Sequence, residues 1–134
     1  MKTKPLTYPM PIGLLTFLLA LTFLFLFIGS SVVFADDMQD GIDAYQRQDY
    51  KEAVKWFRLS AEQGVSGAQY NLGKMYRNGQ GVPQDYVLAH MWWNLSGSNG
   101  FKDAVTNRNI VEKKMSKQKI EKAQEMARNW KPNK

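Results

Sequence analysis

An internal repeat with a period of 36 residues is the feature that most constrains how this chain can fold. Shifting the sequence on itself by 36 positions aligns Asp49 with Asp85, Tyr50 with Tyr86, Ala53 with Ala89, Trp56 with Trp92, Phe57 with Trp93, Ser60 with Ser96 and Gly64 with Gly100. Periods of this length are typical of arrays in which each unit is one supersecondary motif that buries its apolar face against the next unit. The repeat therefore predicts a stack of similar units.

The spacing of apolar residues inside the repeat predicts helices. One set recurs at steps of three or four, which places it on one helical face: Tyr50, Ala53, Val54, Phe57 and Ala61. Asp49 and Asp85 stand where an N-cap is needed, because a carboxylate accepts hydrogen bonds from the free backbone amides of the first turn. Gly64 and Gly100 stand where these helices should end.

The remaining segments complete a series of helical hairpins. Residues 66–78 have a second helical pattern, and the turn Gly79–Gln84 follows, because Pro83 cannot continue a helix. Met38–Gln48 is expected to be the partner helix of the first unit, and residues 101–130 carry two further amphipathic stretches. The predicted fold is all-α, an antiparallel helix-hairpin solenoid of about six helices. Its expected parts are repeat 1 at about 37–65, repeat 2 at about 66–100 and C-terminal capping helices at 101–130.

The first 35 residues have the layout of a signal peptide. Lys2 and Lys4 precede an apolar run over residues 12–28, and Val33-Phe34-Ala35 then offers a cleavage position after Ala35. The alternative is an uncleaved N-terminal anchor, because the run approaches the length that spans a bilayer. Either alternative predicts that residues 36–134 are exported, to the periplasm or as a secreted protein, or held at the inner membrane by the anchor.

Residue types narrow the possible chemistry. The chain has no cysteine, which excludes disulfides and thiol chemistry. His90 is the only histidine, and no motif supplies it with metal ligands or a nucleophilic serine, so we expect it to serve in packing. We expect no cofactor, no metal and no enzymatic activity. A hydrolase that uses scattered carboxylates stays open as an alternative.

One stretch resembles a known family. Residues 68–86 contain Leu72-Gly73, Tyr76, Gly79-Gln80-Gly81-Val82 and Asp85, followed by an alanine and tryptophans in the next helix. This pattern is similar to the Sel-one-like repeat, a branch of the tetratricopeptide superfamily, and the likeness covers residues 40–104. The resemblance implies a helix-hairpin solenoid whose concave surface holds a protein or peptide partner. It implies an adaptor or assembly factor.

The resemblance also indicates where a partner would bind. Positions that the helical wheel leaves off the packed face, and that correspond to peptide-contacting positions of the superfamily, are Tyr45, Gln46, Tyr70, Lys74, Arg77 and Asn78. A merely solvated face is the alternative. The aromatic positions Trp56, Phe57, Trp92 and Trp93 are expected to pack in the core and between helices rather than to form a ligand platform.

Charge is concentrated near the C-terminus. Residues 101–134 carry 10 basic and 4 acidic groups, among them Lys113, Lys114, Lys117, Lys119 and Lys122. Such lysines usually keep a capping helix soluble, although binding to anionic envelope material is an alternative. Export makes nucleic acid an unsuitable partner, and contact with a membrane is expected only through the leader. Because two hairpins and a cap make a short solenoid, self-association is possible.

Overall fold

The computed structural model describes residue 3, residue 9 and residues 11–133, without the side chains of residues 23–35. Its helices are α1 (Ile12–Gln46), α2 (Tyr50–Glu62), α3 (Ser66–Asn78), α4 (Tyr86–Ser98), α5 (Lys102–Glu112) and α6 (Lys117–Asn129). There is no strand within these ranges. The predicted all-helical hairpin fold is therefore confirmed.

The N-terminal part differs from the expectation in one respect. The helix predicted to start at Met38 is the last part of the longer helix α1, which ends at Gln46. The chain divides into two compact units, Met1–Val33 and Phe34–Lys134. Within the described residues, no helix has both the length and the apolarity needed to cross a membrane. Lys2, Lys4 and the side chains at the proposed cleavage position lie outside the described residues.

The two predicted N-caps are present but unequal. Asp85 Oδ1 accepts hydrogen bonds from the backbone N–H of Val87 at 2.8 Å and of Leu88 at 3.0 Å. Asp49 Oδ1 accepts only one, from the Glu52 N–H, at 3.3 Å. Each aspartate satisfies amides that the helix itself leaves unpaired. The cap of α4 is therefore better formed than the cap of α2.

Both hairpins join their helices by the same contact. A Cβ added to Gly41 of α1 would come within 2.6 Å of the Phe57 ring of α2, and one added to Gly73 of α3 would come within 2.6 Å of the Trp93 indole of α4. Phe57 and Trp93 are correspondingly buried, with 1% and 0% of their surfaces exposed. A glycine in the first helix thus makes room for an aromatic ring from the second helix. The two rings are 36 residues apart, whereas the two glycines are only 32 apart, because the loop within the first hairpin is shorter.

A buried amide connects three helices. Gln69 of α3 is fully buried, and its Nε2 donates to the Ala61 carbonyl at the end of α2, at 3.2 Å. Its Oε1 accepts from Asn99 Nδ2, just beyond α4, at 3.5 Å. Burying an amide without partners costs several kcal/mol in an apolar medium, so these bonds are what make the position tolerable.

Helices α5 and α6 both pack on α4. The Trp130 ring, which follows α6, meets the Trp92 ring of α4 edge to face, with centroids 6.2 Å apart. The chain then continues to α2, where the backbone N–H of Asn133 donates to the Glu62 carbonyl at 2.8 Å and Asn133 Nδ2 donates to Glu62 Oε2 at 3.0 Å. The C-terminal segment therefore covers α4 and reaches the end of the first hairpin.

The expectation that all four aromatic residues of the repeat pack inside is wrong for one of them. Phe57, Trp92 and Trp93 are buried. Trp56 is only partly buried and lies outside both apolar clusters, and the ammonium of Lys55 lies 4.7 Å from the centroid of its ring. The physical reason is that α6 packs on α4 at Trp92, whereas Lys55, which precedes Trp56 on α2, is exposed.

Candidate partner-binding surface

The six residues predicted to bind a partner lie on the first helices of the two hairpins. Tyr45 and Gln46 end α1, and α3 carries Tyr70, Lys74, Arg77 and Asn78. We call these six residues the front surface. They come from corresponding helices of successive units, so a partner crossing the stack would meet them in succession.

Lys74 joins the two helices at the centre of the front surface. Its ammonium lies 5.7 Å from the ring centroid of Tyr45 and 5.7 Å from that of Tyr70. A cation over an aromatic face gains roughly 0.5–1 kcal/mol at an exposed site. Two such rings restrict a flexible side chain, so Lys74 presents its charge from a defined position.

Tyr45 and Asn78 meet through a residue that the sequence analysis did not single out. The Tyr45 hydroxyl donates to Gln80 Oε1 at 3.3 Å, and Asn78 Nδ2 donates to the same oxygen at 3.2 Å. The Tyr45 ring also meets the Tyr50 ring edge to face, with centroids 5.4 Å apart. Gln80 lies in the turn between α3 and α4, so no helical periodicity could have indicated it.

Tyr70 extends the surface towards α5. Its ring lies 4.8 Å from that of Phe101, centroid to centroid, and its hydroxyl accepts a hydrogen bond from Asn107 Nδ2 at 3.2 Å. Neither Phe101, the N-cap of α5, nor Asn107 is among the six residues predicted from the sequence. The row of aromatic and polar groups therefore runs from α1 through α3 to α5.

Gln46 and Arg77 belong to the surface without joining this network. Within the described residues, neither side chain forms a hydrogen bond or an ion pair, and Gln46 is exposed. Arg77 lies in the last turn of α3, where a cation is favoured by the helix dipole. With Lys74, it gives the front surface two positive charges, and none of the six residues is acidic.

His90 lies in the protein interior, where α4 contacts α5. It is fully buried in α4, and its Nε2 lies 2.6 Å from Glu112 Oε1 of α5. Its Nδ1 has no hydrogen-bond partner in the described part of the chain. The described residues contain no group of three or more histidine, cysteine, aspartate or glutamate side chains placed to hold a metal ion. The sequence-based expectation of a packing role agrees with this burial.

Comparisons with known proteins assign a family to the repeat. Residues 38–65 and 66–101 match the Sel1 repeat model. A crystal structure of a protective antigen from uropathogenic Escherichia coli, which displays an SLR fold, is similar with a TM-score of 0.70 and 33% identity, over 72% of this chain and 22% of that one.

Two regulators are similar in sequence over shorter stretches. The exopolysaccharide production negative regulator of Rhizobium leguminosarum bv. viciae is 42% identical over 45 residues, which are 34% of this chain and 17% of that protein. The chitin synthase regulator SKT5 of Malassezia restricta is 31% identical over 71 residues, which are 53% of this chain and 5% of that protein. The chain thus matches only a small part of each relative.

Proposed function

Because residues 38–65 and 66–101 match the Sel1 repeat, we propose that the protein is an exported, non-catalytic adaptor that binds a protein or peptide through its front surface. Proteins built from such repeats are interaction scaffolds in general, and the family comparison supports a protein partner. The names of the matched relatives, two of which are regulators, support a role exerted on another protein.

The observation that carries this proposal is the position of Lys74 between Tyr45 and Tyr70. The arrangement combines a cation with two aromatic rings, and its hydrogen-bonding groups come from residues on both sides. Rigid aromatic and polar groups lower the entropy lost on binding, because fewer side chains must be ordered when the partner arrives. The two cations favour a peptide that carries carboxylates opposite Lys74 and Arg77.

A non-catalytic role is supported by the environment of the histidine. His90 is enclosed, and the carboxylate next to it, that of Glu112, lies at the contact between α4 and α5. A general acid or base must reach a bound substrate within hydrogen-bonding distance. A fully buried imidazole offers no such access.

Partner capture in intact cells tests the front surface. A photo-crosslinking amino acid at Gln46, which is exposed, should capture a distinct protein, and Lys74→Glu with Arg77→Glu should reduce that capture by about tenfold because both attractions become repulsions. Lys113→Glu with Lys114→Glu is the matched control, since it reverses two exposed charges elsewhere. Tyr70 is left unchanged because its ring packs on Phe101. Equal capture by the double variant and its control would remove the front surface from the proposal.

Export is tested separately from binding. We expect the protein recovered from outside the cytoplasm to begin at Asp36, which N-terminal sequencing would establish. A mature chain that retains residues 1–35 would show instead that the leader is an uncleaved anchor. Recovery of the protein only from the cytoplasm would contradict export itself.

A further inference from the structure

The outer side of α2 corresponds in the repeat to the side of α4 that α6 covers. Under the 36-residue shift, Lys55, Trp56 and Leu59 of α2 correspond to Met91, Trp92 and Leu95 of α4. We call the residues Lys51, Lys55, Trp56, Arg58 and Leu59 the outer surface of α2. Its counterpart on α4 shows what a helix at this place in the repeat is able to bind.

On α4 the corresponding residues are covered by a helix of the same chain. Met91 and Trp92 are only 6% and 7% exposed, and α6 packs against α4. Met126 and Trp130, from α6 and the residue after it, pack against the same apolar cluster. The molecule therefore shows that an amphipathic helix can bind to this side of the second helix of a repeat.

On α2 the corresponding residues are at least partly exposed to solvent. Lys55 is exposed and Leu59 is 42% exposed, although both occupy positions that are apolar and protected on α4. A surface groove of about 390 Å³ runs along this side, lined by Lys51, Val54, Lys55, Arg58, Leu59 and Glu62. The groove thus combines apolar side chains with a row of cations.

The charges select the kind of helix that fits. The groove is lined by three cations and one carboxylate, and Glu62 already accepts a hydrogen bond from Asn133. A second copy of α6 would be a poor occupant, because its 13 residues carry four basic and two acidic groups and like charges would face each other. A helix with the same apolar spacing and an acidic flank would bury Trp56 and Leu59 while its carboxylates meet Lys51 and Lys55.

We propose that the outer surface of α2 is a second binding surface, which takes an acidic amphipathic helix of a partner protein in the way that α4 takes α6. This surface is separate from the front surface, because the six front residues lie on α1 and α3 and the five outer residues lie on α2. The protein would then hold two segments at once, which is the property an adaptor needs.

A designed peptide tests this proposal. The probe has the sequence of residues 117–130 with Lys117, Lys119, Lys122 and Arg128 all replaced by glutamate, and the unchanged sequence is its control. Titrated into the full chain, the acidic probe should bind at least about tenfold more tightly than the control. It should also shift the indole N–H resonance of Trp56, which a Trp56→Phe variant identifies.

Variants of the full chain locate the binding. Lys51→Glu with Lys55→Glu should weaken the acidic probe by about tenfold, whereas Lys113→Glu with Lys114→Glu should not. Arg58 is left in place because its Nη2 donates to the Tyr76 hydroxyl at 2.9 Å. Lys74→Glu with Arg77→Glu should leave the probe's affinity unchanged, so a failure of this proposal and a failure of the proposed function are distinguishable.

Three results would overturn the proposal. The first is no binding of the acidic probe at concentrations up to about 1 mM. The second is binding that is insensitive to the changes at Lys51 and Lys55, which would place the probe elsewhere, for example on α4 in exchange for α6. The third is that the chain does not bind the peptide but binds anionic phospholipid vesicles, and that Lys51→Glu with Lys55→Glu abolishes this vesicle binding. The outer surface of α2 would then be a membrane-binding surface.

Discussion

Helices α2 and α4 carry a tryptophan at the same place in the repeat, yet Trp92 is buried under Trp130 and Trp56 is partly exposed next to Lys55. The inner sides of the two helices are alike, because Phe57 and Trp93 each pack on a glycine of the preceding helix. The repeat therefore specifies how a hairpin closes on itself. Whether its outer side is buried depends on another part of the chain, here the C-terminal helix.

The largest effect on stability is expected when each of the two tryptophans is replaced in turn. Trp92→Ala should lower the free energy of unfolding by about 3–5 kcal/mol, the usual cost of deleting a buried large aromatic side chain. Trp56→Ala should lower it by less than about 1 kcal/mol, because its ring lies outside both clusters and loses mainly the contact with Lys55. Urea denaturation of both variants measures the two values. Equal losses would mean that the outer sides of α2 and α4 do not differ energetically.

A smaller effect is expected from the helix caps. Asp85→Ala should cost about 1–2 kcal/mol, because two amides of α4 lose their acceptor. Asp49→Ala should cost about 0.5 kcal/mol, at the low end of such effects, because it removes one long bond. Thermal unfolding of the two variants compares them under one condition. A larger shift for Asp49→Ala would reverse the order that the geometry of the caps predicts.

An effect as small as that of Asp49→Ala is expected where the C-terminal segment meets α2. Glu62→Ala removes the side-chain bond from Asn133 but leaves the backbone bond to the Glu62 carbonyl, so it should cost roughly 0.5 kcal/mol. Hydrogen exchange at the Asn133 amide measures whether the remaining bond persists. Loss of protection at that amide would show that the side chain, rather than the backbone, holds the tail to α2.

The local parts of the fold were predictable from the sequence. The bounds of α3 agree with the pattern at residues 66–78, and Asp49 and Asp85 cap the helices they were expected to cap. These features depend on residues within one or two turns of each other. The exposure of Trp56 was not predictable, because it depends on where α6 packs, and the sequence from 117 to 129 does not state which helix it will cover.

The candidate surface shows the same division. The structure brings Tyr45, Tyr70 and Lys74 together. The helical wheel placed all three off the packed face, which is wrong for the two tyrosines, because their rings are partly buried against the apolar clusters. The contributions of Gln80 and Asn107 come from a turn and from α5, and their contacts join residues 35 and 37 positions apart. Periodicity contains no information about such pairs. Whether the six residues bind a partner stays a prediction for the capture experiment.

The buried amide of Gln69 has a consequence for uniqueness. Alanine rows such as Ala53, Ala61 and Ala68 offer little shape of their own to oppose a slide of one helix along its neighbour, so the alignment depends on specific contacts. A slide of one turn would part Gln69 from the Ala61 carbonyl and leave a donor and an acceptor without partners in the interior, at about 1–3 kcal/mol each. Together with the bonds from Trp93 Nε1 to the Tyr70 carbonyl and from Ser96 Oγ to the Ser66 carbonyl, this amide fixes the alignment of three helices along their axes, and with it the spacing between the groups that the surface displays.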